Sequence, residues 1–121
     1  MKQALLVFLG GGIGSALRFM ISRFTVNLWN YDFPFGTFLV NMLGCFLIGL
    51  LFTYLGKQQA NQTLYFLLIA GFCGGFTTFS TFSLENIQLY QNQNYLVLIF
   101  YTFASLVLGV GFTFLGLKLI K

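Results

Sequence analysis

Few side chains in this protein can do chemistry, and most of those are uncharged. Residues 71–85 place the pair Gly74-Gly75, the hydroxyls of Thr77, Thr78, Ser80, Thr81 and Ser83, and the rings of Phe72, Phe76, Phe79 and Phe82 inside an otherwise apolar run. Upstream, Thr37 and Asn41 stand at i, i+4, with Gly44 and Cys45 one turn on. Downstream, Tyr101 and Ser105 lie one turn apart, and Gly109 and Thr113 continue that face. Hydroxyls and amides donate and accept hydrogen bonds without carrying charge. Lipid solvates neither them nor free backbone amides, so these groups must face protein, water or an ion. The chemistry they suit is replacement of an ion's hydration shell. Covalent chemistry is poorly provided for. The chain has no histidine, one aspartate (Asp32) and one glutamate (Glu85). It cannot assemble from side chains a general acid/base pair with histidine, a Ser-His-Asp triad or a conventional transition-metal site. The inventory points away from an enzyme, and no catalytic residue is assigned.

The sign of the ion follows from what is missing. A cation path generally carries acidic side chains or a carbonyl cage, and a proton-coupled carrier needs a titratable group at its site. Glu85 is expected near the end of its span, which leaves no buried carboxylate on the path. Neutral donors with Arg18 at one end suit a small, strongly hydrated anion. The individual signals stay two-sided. A phenyl face attracts cations and its C–H edge can meet an anion, so Phe79 and Phe82 are either pore rings or packing bulk. Asn41 can tie helices together or coordinate an ion of either sign. Arg18 either snorkels to the headgroups or lines a water-filled vestibule. Cys45 and Cys73 lie singly in apolar segments and read as small buried hydrophobes.

These groups need a membrane scaffold to position them. Of 121 residues 58% are hydrophobic and 7% charged, against about 25% charged in soluble domains. The basic residues are scattered and form no patch for nucleic acid. A hydrocarbon core of about 30 Å needs roughly 20 helical residues. Four segments qualify, near 4–25, 35–55, 64–87 and 95–119, so residues 1–121 are expected to form a single four-helix transmembrane domain. Apolar sequence from Ala4 runs to Arg18 without a small-residue cleavage site, unlike a signal peptide. The run Ala4–Leu17 is about 21 Å of helix, too short to cross alone, so the first helix must continue through Arg18. In the third span Gly74-Gly75 followed by Thr77-Thr78 disfavours a continuous helix, since glycine costs about 1 kcal/mol relative to alanine. A break at mid-membrane is expected there. The competing arrangement is an unbroken helix with its threonines bonded back to the preceding turn. Gly10 and Gly14, Gly44 and Gly49, and Gly109, Gly111 and Gly116 allow close helix approach. Four helices packed so tightly leave no central pore, so a conducting path is expected between subunits of an oligomer. One side carries Lys2, Lys57, Lys118 and Lys121, the other Arg23 and Asp32, joined by Arg18 where it snorkels to the headgroups. That is a weak orientation signal, as in a protein that inserts both ways.

The run Gly71-Phe72-Cys73-Gly74-Gly75-Phe76-Thr77-Thr78-Phe79-Ser80-Thr81-Phe82-Ser83 resembles the signature of the CrcB/Fluc fluoride channels. So do Gly11-Gly12-Ile13-Gly14-Ser15-Ala16-Leu17-Arg18-Phe19 and Gly36-Thr37-Phe38-Leu39-Val40-Asn41-Met42-Leu43-Gly44-Cys45-Phe46. The resemblance implies an all-α, dual-topology antiparallel homodimer in the bacterial inner membrane. Two pores along its interface would export fluoride passively and relieve fluoride toxicity. It implies that Phe79 and Phe82 offer ring edges to fluoride, that Asn41 donates beside them, and that Ser80, Thr81, Tyr101 and Ser105 form a polar track, with Thr37 nearby. Arg18 would line a vestibule and Glu85 sit near a pore mouth. A structural Na⁺ would be held by main-chain carbonyls of Gly74 and Thr77 from both subunits. The chain departs from some family members at Gly109, where they carry a second serine; Thr113 or water would have to replace that hydroxyl.

Two other classes compete. A small dual-topology, proton-coupled multidrug exporter shares the length and the weak charge bias, but it needs a membrane carboxylate that the first span lacks. A non-conducting assembly subunit would use Asn41 and the threonines for packing alone.

Overall fold

In the computed structural model, which describes residues 1–28, 32–57 and 61–120, the described residues outside short connections are helical. Helix α1 is Lys2–Leu28 and α2 is Phe35–Lys57. The third span starts with a single turn, α3 (Gln62–Leu64), and widens into a π-helix over Tyr65–Cys73. It tightens again in α4 (Gly74–Phe76), stops, and resumes as α5 (Ser80–Gln91). Helix α6 is Tyr95–Leu119. Four helical segments are long and apolar enough to cross a membrane: Lys2–Val26, Phe35–Gly56, Gln62–Gln91 and Tyr95–Leu119. Each expected span is found, and the third runs four residues beyond its expected end at 87. Polar Gln88 and Gln91 hid that last turn from a hydropathy reading. Parts of the first two loops, with Lys121, fall outside the described residues, as does the Lys57 side chain.

Packing follows the small residues. Helix α1 lies along the π-helix and α4, while α2 lies chiefly along α6. A side chain at Gly10 or Gly14 would run into the carbonyls of Leu67 or Phe72, so α1 touches the third span backbone to backbone. Close backbone contact of this kind supplies the van der Waals attraction that holds helices together where lipid offers no hydrophobic gain. Thr53 Oγ1 donates to Leu117 O at 3.1 Å and Thr102 Oγ1 to Asn86 Oδ1 at 3.2 Å, tying α2 and α5 to α6. The fully buried side chains Val40, Cys73 and Tyr101 mark the inside of a thin bundle. Much of the outer apolar surface is open, Leu96 (83%) and Phe8 (74%) among it. Such a surface suits lipid or a second subunit.

The turn between α5 and α6 is closed by backbone alone. Asn94 N–H reaches Leu89 O at 2.9 Å and Gln93 N–H reaches Tyr90 O at 3.1 Å. This is a Schellman closure. Gln93 occupies its left-handed position at φ 61°, where glycine is the usual residue.

Candidate functional site

The interruption in the third span is built by a few side chains that take over backbone bonds. Thr77 N–H and Thr77 Oγ1 both donate to Cys73 O, at 3.1 and 2.9 Å. The chain then turns extended, with Thr77 at φ −88°, ψ 160°. Thr78 N–H, which would have continued the helix onto Gly74 O, donates instead to Asn41 Oδ1 at 2.9 Å. Asn41 Nδ2 returns the bond to Thr78 O at 3.1 Å. One amide on α2 thus satisfies both backbone groups of a residue that has left the helix. Thr81 N–H, the natural partner of Thr77 O, donates to Thr78 Oγ1 at 3.1 Å and so caps the start of α5. The third span is therefore broken, as expected, and not the unbroken helix that competed with it; only the back-bond of that alternative is kept, at Thr77.

This geometry leaves Gly74 O and Thr77 O without the ladder donors they would have in a helix. A side chain at Gly74 would meet nothing within 4 Å, so that residue faces open space. Neutral carbonyl oxygens freed from a helix ladder are a donor type suited to a hard cation. Among the described residues no group of three or more acidic, cysteine or histidine side chains could hold a metal. Gly75 O is occupied: Arg18 Nε donates to it at 3.0 Å and Ser15 Oγ lies 3.4 Å away. Arg18 is half-buried and reaches into the third span, an anchoring contact that helical spacing did not foretell. On the opposite side of the break, Gly44 leaves room for the Thr77 methyl group.

An open groove of about 490 Å³ runs along the break, lined among others by Asn41, Gly74, Thr77, Phe79, Phe82 and Ser105. Phe79 is 77% exposed there, and its ring centroid lies 5.8 Å from that of Phe82. Ser105 Oγ is buried and has no hydrogen-bond partner. An unpartnered buried hydroxyl is costly, and this one lines the groove.

Phe82 links the groove to a second polar cluster, since its ring centroid lies 5.0 Å from that of Tyr101. Tyr101 Oη donates to Glu85 Oε1 at 2.9 Å, and Thr37 Oγ1 donates to Glu85 Oε2 at 2.8 Å. The path was expected to hold no buried carboxylate. Glu85 is half-buried and receives two of the hydroxyls assigned to that path. The reason is the longer α5: Glu85 lies six residues before its end at Gln91, about 9 Å inside at 1.5 Å per residue. Beyond it two openings of about 360 and 180 Å³ lead outward, and Glu85 lines both.

The site residues expected from the sequence therefore fall into three groups. Asn41, Phe79, Phe82 and Ser105 share the groove with Gly74 and Thr77. Thr37, Tyr101 and Glu85 share the second cluster. Arg18 stands apart on α1, against Gly75. Ser80 is exposed beside the groove, its Oγ 3.4 Å from Thr78 Oγ1, and Thr81 is half-buried. Thr113 Oγ1 donates to Gly109 O at 3.0 Å, so its proton is already engaged. Sequence reasoning missed Ser15, one turn before Arg18, and Phe33, whose ring meets Tyr101 edge-on at 5.3 Å between centroids. Only its place beside Pro34 at the start of α2 hinted at Phe33.

Residues 5–117 match the family described as CrcB-like protein, Camphor Resistance (CrcB). The chain is 46% identical over 121 residues to the Fluoride-specific ion channel FluC of Gloeothece citriformis, covering all of this chain and 98% of that protein. It is 46% identical to the protein of the same name from Flavobacterium psychrophilum, with the same coverage. A third, from Aquifex aeolicus, is 47% identical over 111 residues, 91% of this chain and 90% of that one.

Proposed function

The chain belongs to the CrcB-like family, and from that membership we propose that it is a fluoride-specific ion channel, a multi-pass membrane protein and not an enzyme. The observation that carries the reading is the groove at the interrupted third span, where neutral donors and aromatic edges gather beside a break that side chains hold open. Fluoride holds its water tightly, so several fixed donors must replace that water. Ser105 Oγ, which has no partner in the protein, is one. Asn41 keeps one amide proton beyond the one it gives to Thr78 O. Phe79 and Phe82 offer C–H edges, positive where the ring quadrupole is positive. Ser80 and Thr81 border this stretch, and beyond Phe82 the hydroxyls of Tyr101 and Thr37 serve the ion only on releasing Glu85. Movement is passive and lowers cytoplasmic fluoride.

The groove, lined by α2, the third span and α6, is open along one side, where Phe79 and Gly74 lie exposed. A dehydrated anion cannot be held from one side, so a second copy supplies the other wall. The weak charge bias favours an antiparallel pair inserted in both orientations in the bacterial inner membrane, with two pores along the interface. In that pair the Gly74 and Thr77 carbonyls, deprived of their ladder donors, fit a structural Na⁺ shared between the subunits. The ion would offset the mutual repulsion of the converging carbonyl dipoles and fix the break. Arg18, bonded to the neighbouring carbonyl of Gly75, places its charge at the vestibule side of the break.

The absence of a carboxylate within α1 speaks against a proton-coupled exporter. In bacteria stripped of their own fluoride export, expression of this protein should restore growth in fluoride, and Phe82→Ile should not. Unchanged fluoride sensitivity with the wild-type protein present in the membrane would sink the proposal.

A further inference from the structure

The chain's two carboxylates, far apart in sequence, meet at one mouth. Asp32 and Glu85 both line the opening of about 360 Å³, together with Ser22, Thr25, Phe33 and Thr37. They also share the opening of about 180 Å³, with Gln88, Asn92 and Asn94. Glu85 is the inner of the two, half-buried and held by Thr37 and Tyr101. Asp32 is the outer one, exposed to solvent. The basic side chains of this half of the molecule line neither opening: Arg18 is bonded to Gly75 O, and Arg23 lies 5.7 Å over the Phe19 ring. Lys2 and Lys118 belong to the opposite ends of α1 and α6. Any anion using these openings therefore passes an exposed negative charge before it reaches Thr37 and Tyr101.

We infer that Asp32 sets the rate of anion passage through this mouth, acting through its charge as an electrostatic brake. The inference rests on the channel reading above. No bond to the ion is involved, so the effect depends on distance and ionic strength alone. A unit charge about 8 Å from the passing ion in water changes its local concentration about twofold. At roughly 10 mM salt the screening length is about 30 Å and this acts in full; at 1 M it is about 3 Å and the effect vanishes.

The test measures initial fluoride release from liposomes containing wild type, Asp32→Asn, Asp32→Lys or Asp32→Glu, with an impermeant salt at about 10 mM or about 1 M. Expected at low salt are an increase of about twofold for Asp32→Asn, a larger one for Asp32→Lys and none for Asp32→Glu. At high salt all four should agree. No increase for Asp32→Asn at low salt would overturn the inference. So would an increase that survives high salt, or Asp32→Glu behaving like Asp32→Asn, because either would mark a structural effect. Absence of wild-type flux would instead overturn the channel reading itself.

Discussion

Replacing Asn41 with leucine separates two things this side chain could do. Leucine keeps the branching and heavy-atom count of asparagine and is somewhat bulkier, so no cavity opens on α2. What disappears is the acceptor for Thr78 N–H at 2.9 Å and the donor to Thr78 O at 3.1 Å. Each partly buried backbone group left unpaired costs about 1–3 kcal/mol. Two of them should therefore destabilise the fold by about 2–6 kcal/mol, with no bulk water inside the membrane to take over the bonds. Asn41→Asp keeps the acceptor for Thr78 N–H but sets oxygen against Thr78 O and places a carboxylate within the membrane span, so it should cost no less than leucine. Thermal unfolding in detergent, run beside fluoride release from liposomes, gives both readouts. The expected result is a lower melting temperature and lower flux together in both variants. Loss of flux in Asn41→Leu with unchanged melting would refute the clamp and leave the amide acting on the ion alone.

Three further substitutions test other parts of the structure. Gln93→Gly removes the left-handed penalty at φ 61° and should stabilise the α5–α6 turn by about 1 kcal/mol, read as a raised melting temperature. Gly14→Ala should lower stability by about 1–3 kcal/mol, because its methyl group runs into Phe72 O on the facing backbone and overpacks the α1 contact. Tyr101→Phe deprives Glu85 Oε1 of its donor and should cost about 1–3 kcal/mol, while fluoride flux also falls; unchanged flux would take Tyr101 off the path.

The four spans were legible because crossing lipid demands long apolar runs, and nothing else in a chain this poor in charge competes with that signal. The break was legible too, since Gly74-Gly75 followed by two threonines is locally incompatible with an uninterrupted helix. What closes the break was not. Asn41 pairs with a residue 37 positions away, and a side chain standing in for a backbone partner leaves no periodic trace. Arg18 shows the same limit: its place after Leu17 says how deep it lies, not that its Nε will find Gly75 O. Glu85 lies further from the end of its helix than expected because hydropathy ends a helix where polar residues begin, whereas α5 carries its polar Gln88 and Gln91 one turn past the apolar boundary. The Phe79 and Phe82 rings could be placed on one face from spacing, but the openness of that face emerges only from how α2 and α6 pack beside it.

Fluoride release from liposomes holding the purified protein, followed with a fluoride electrode beside a chloride electrode, tests the central claim most directly. Fluoride should leave down its gradient while chloride release stays at the level of protein-free vesicles. Fluoride release no faster than from protein-free vesicles, or chloride leaving as fast as fluoride, would contradict a fluoride-specific channel at the interrupted third span.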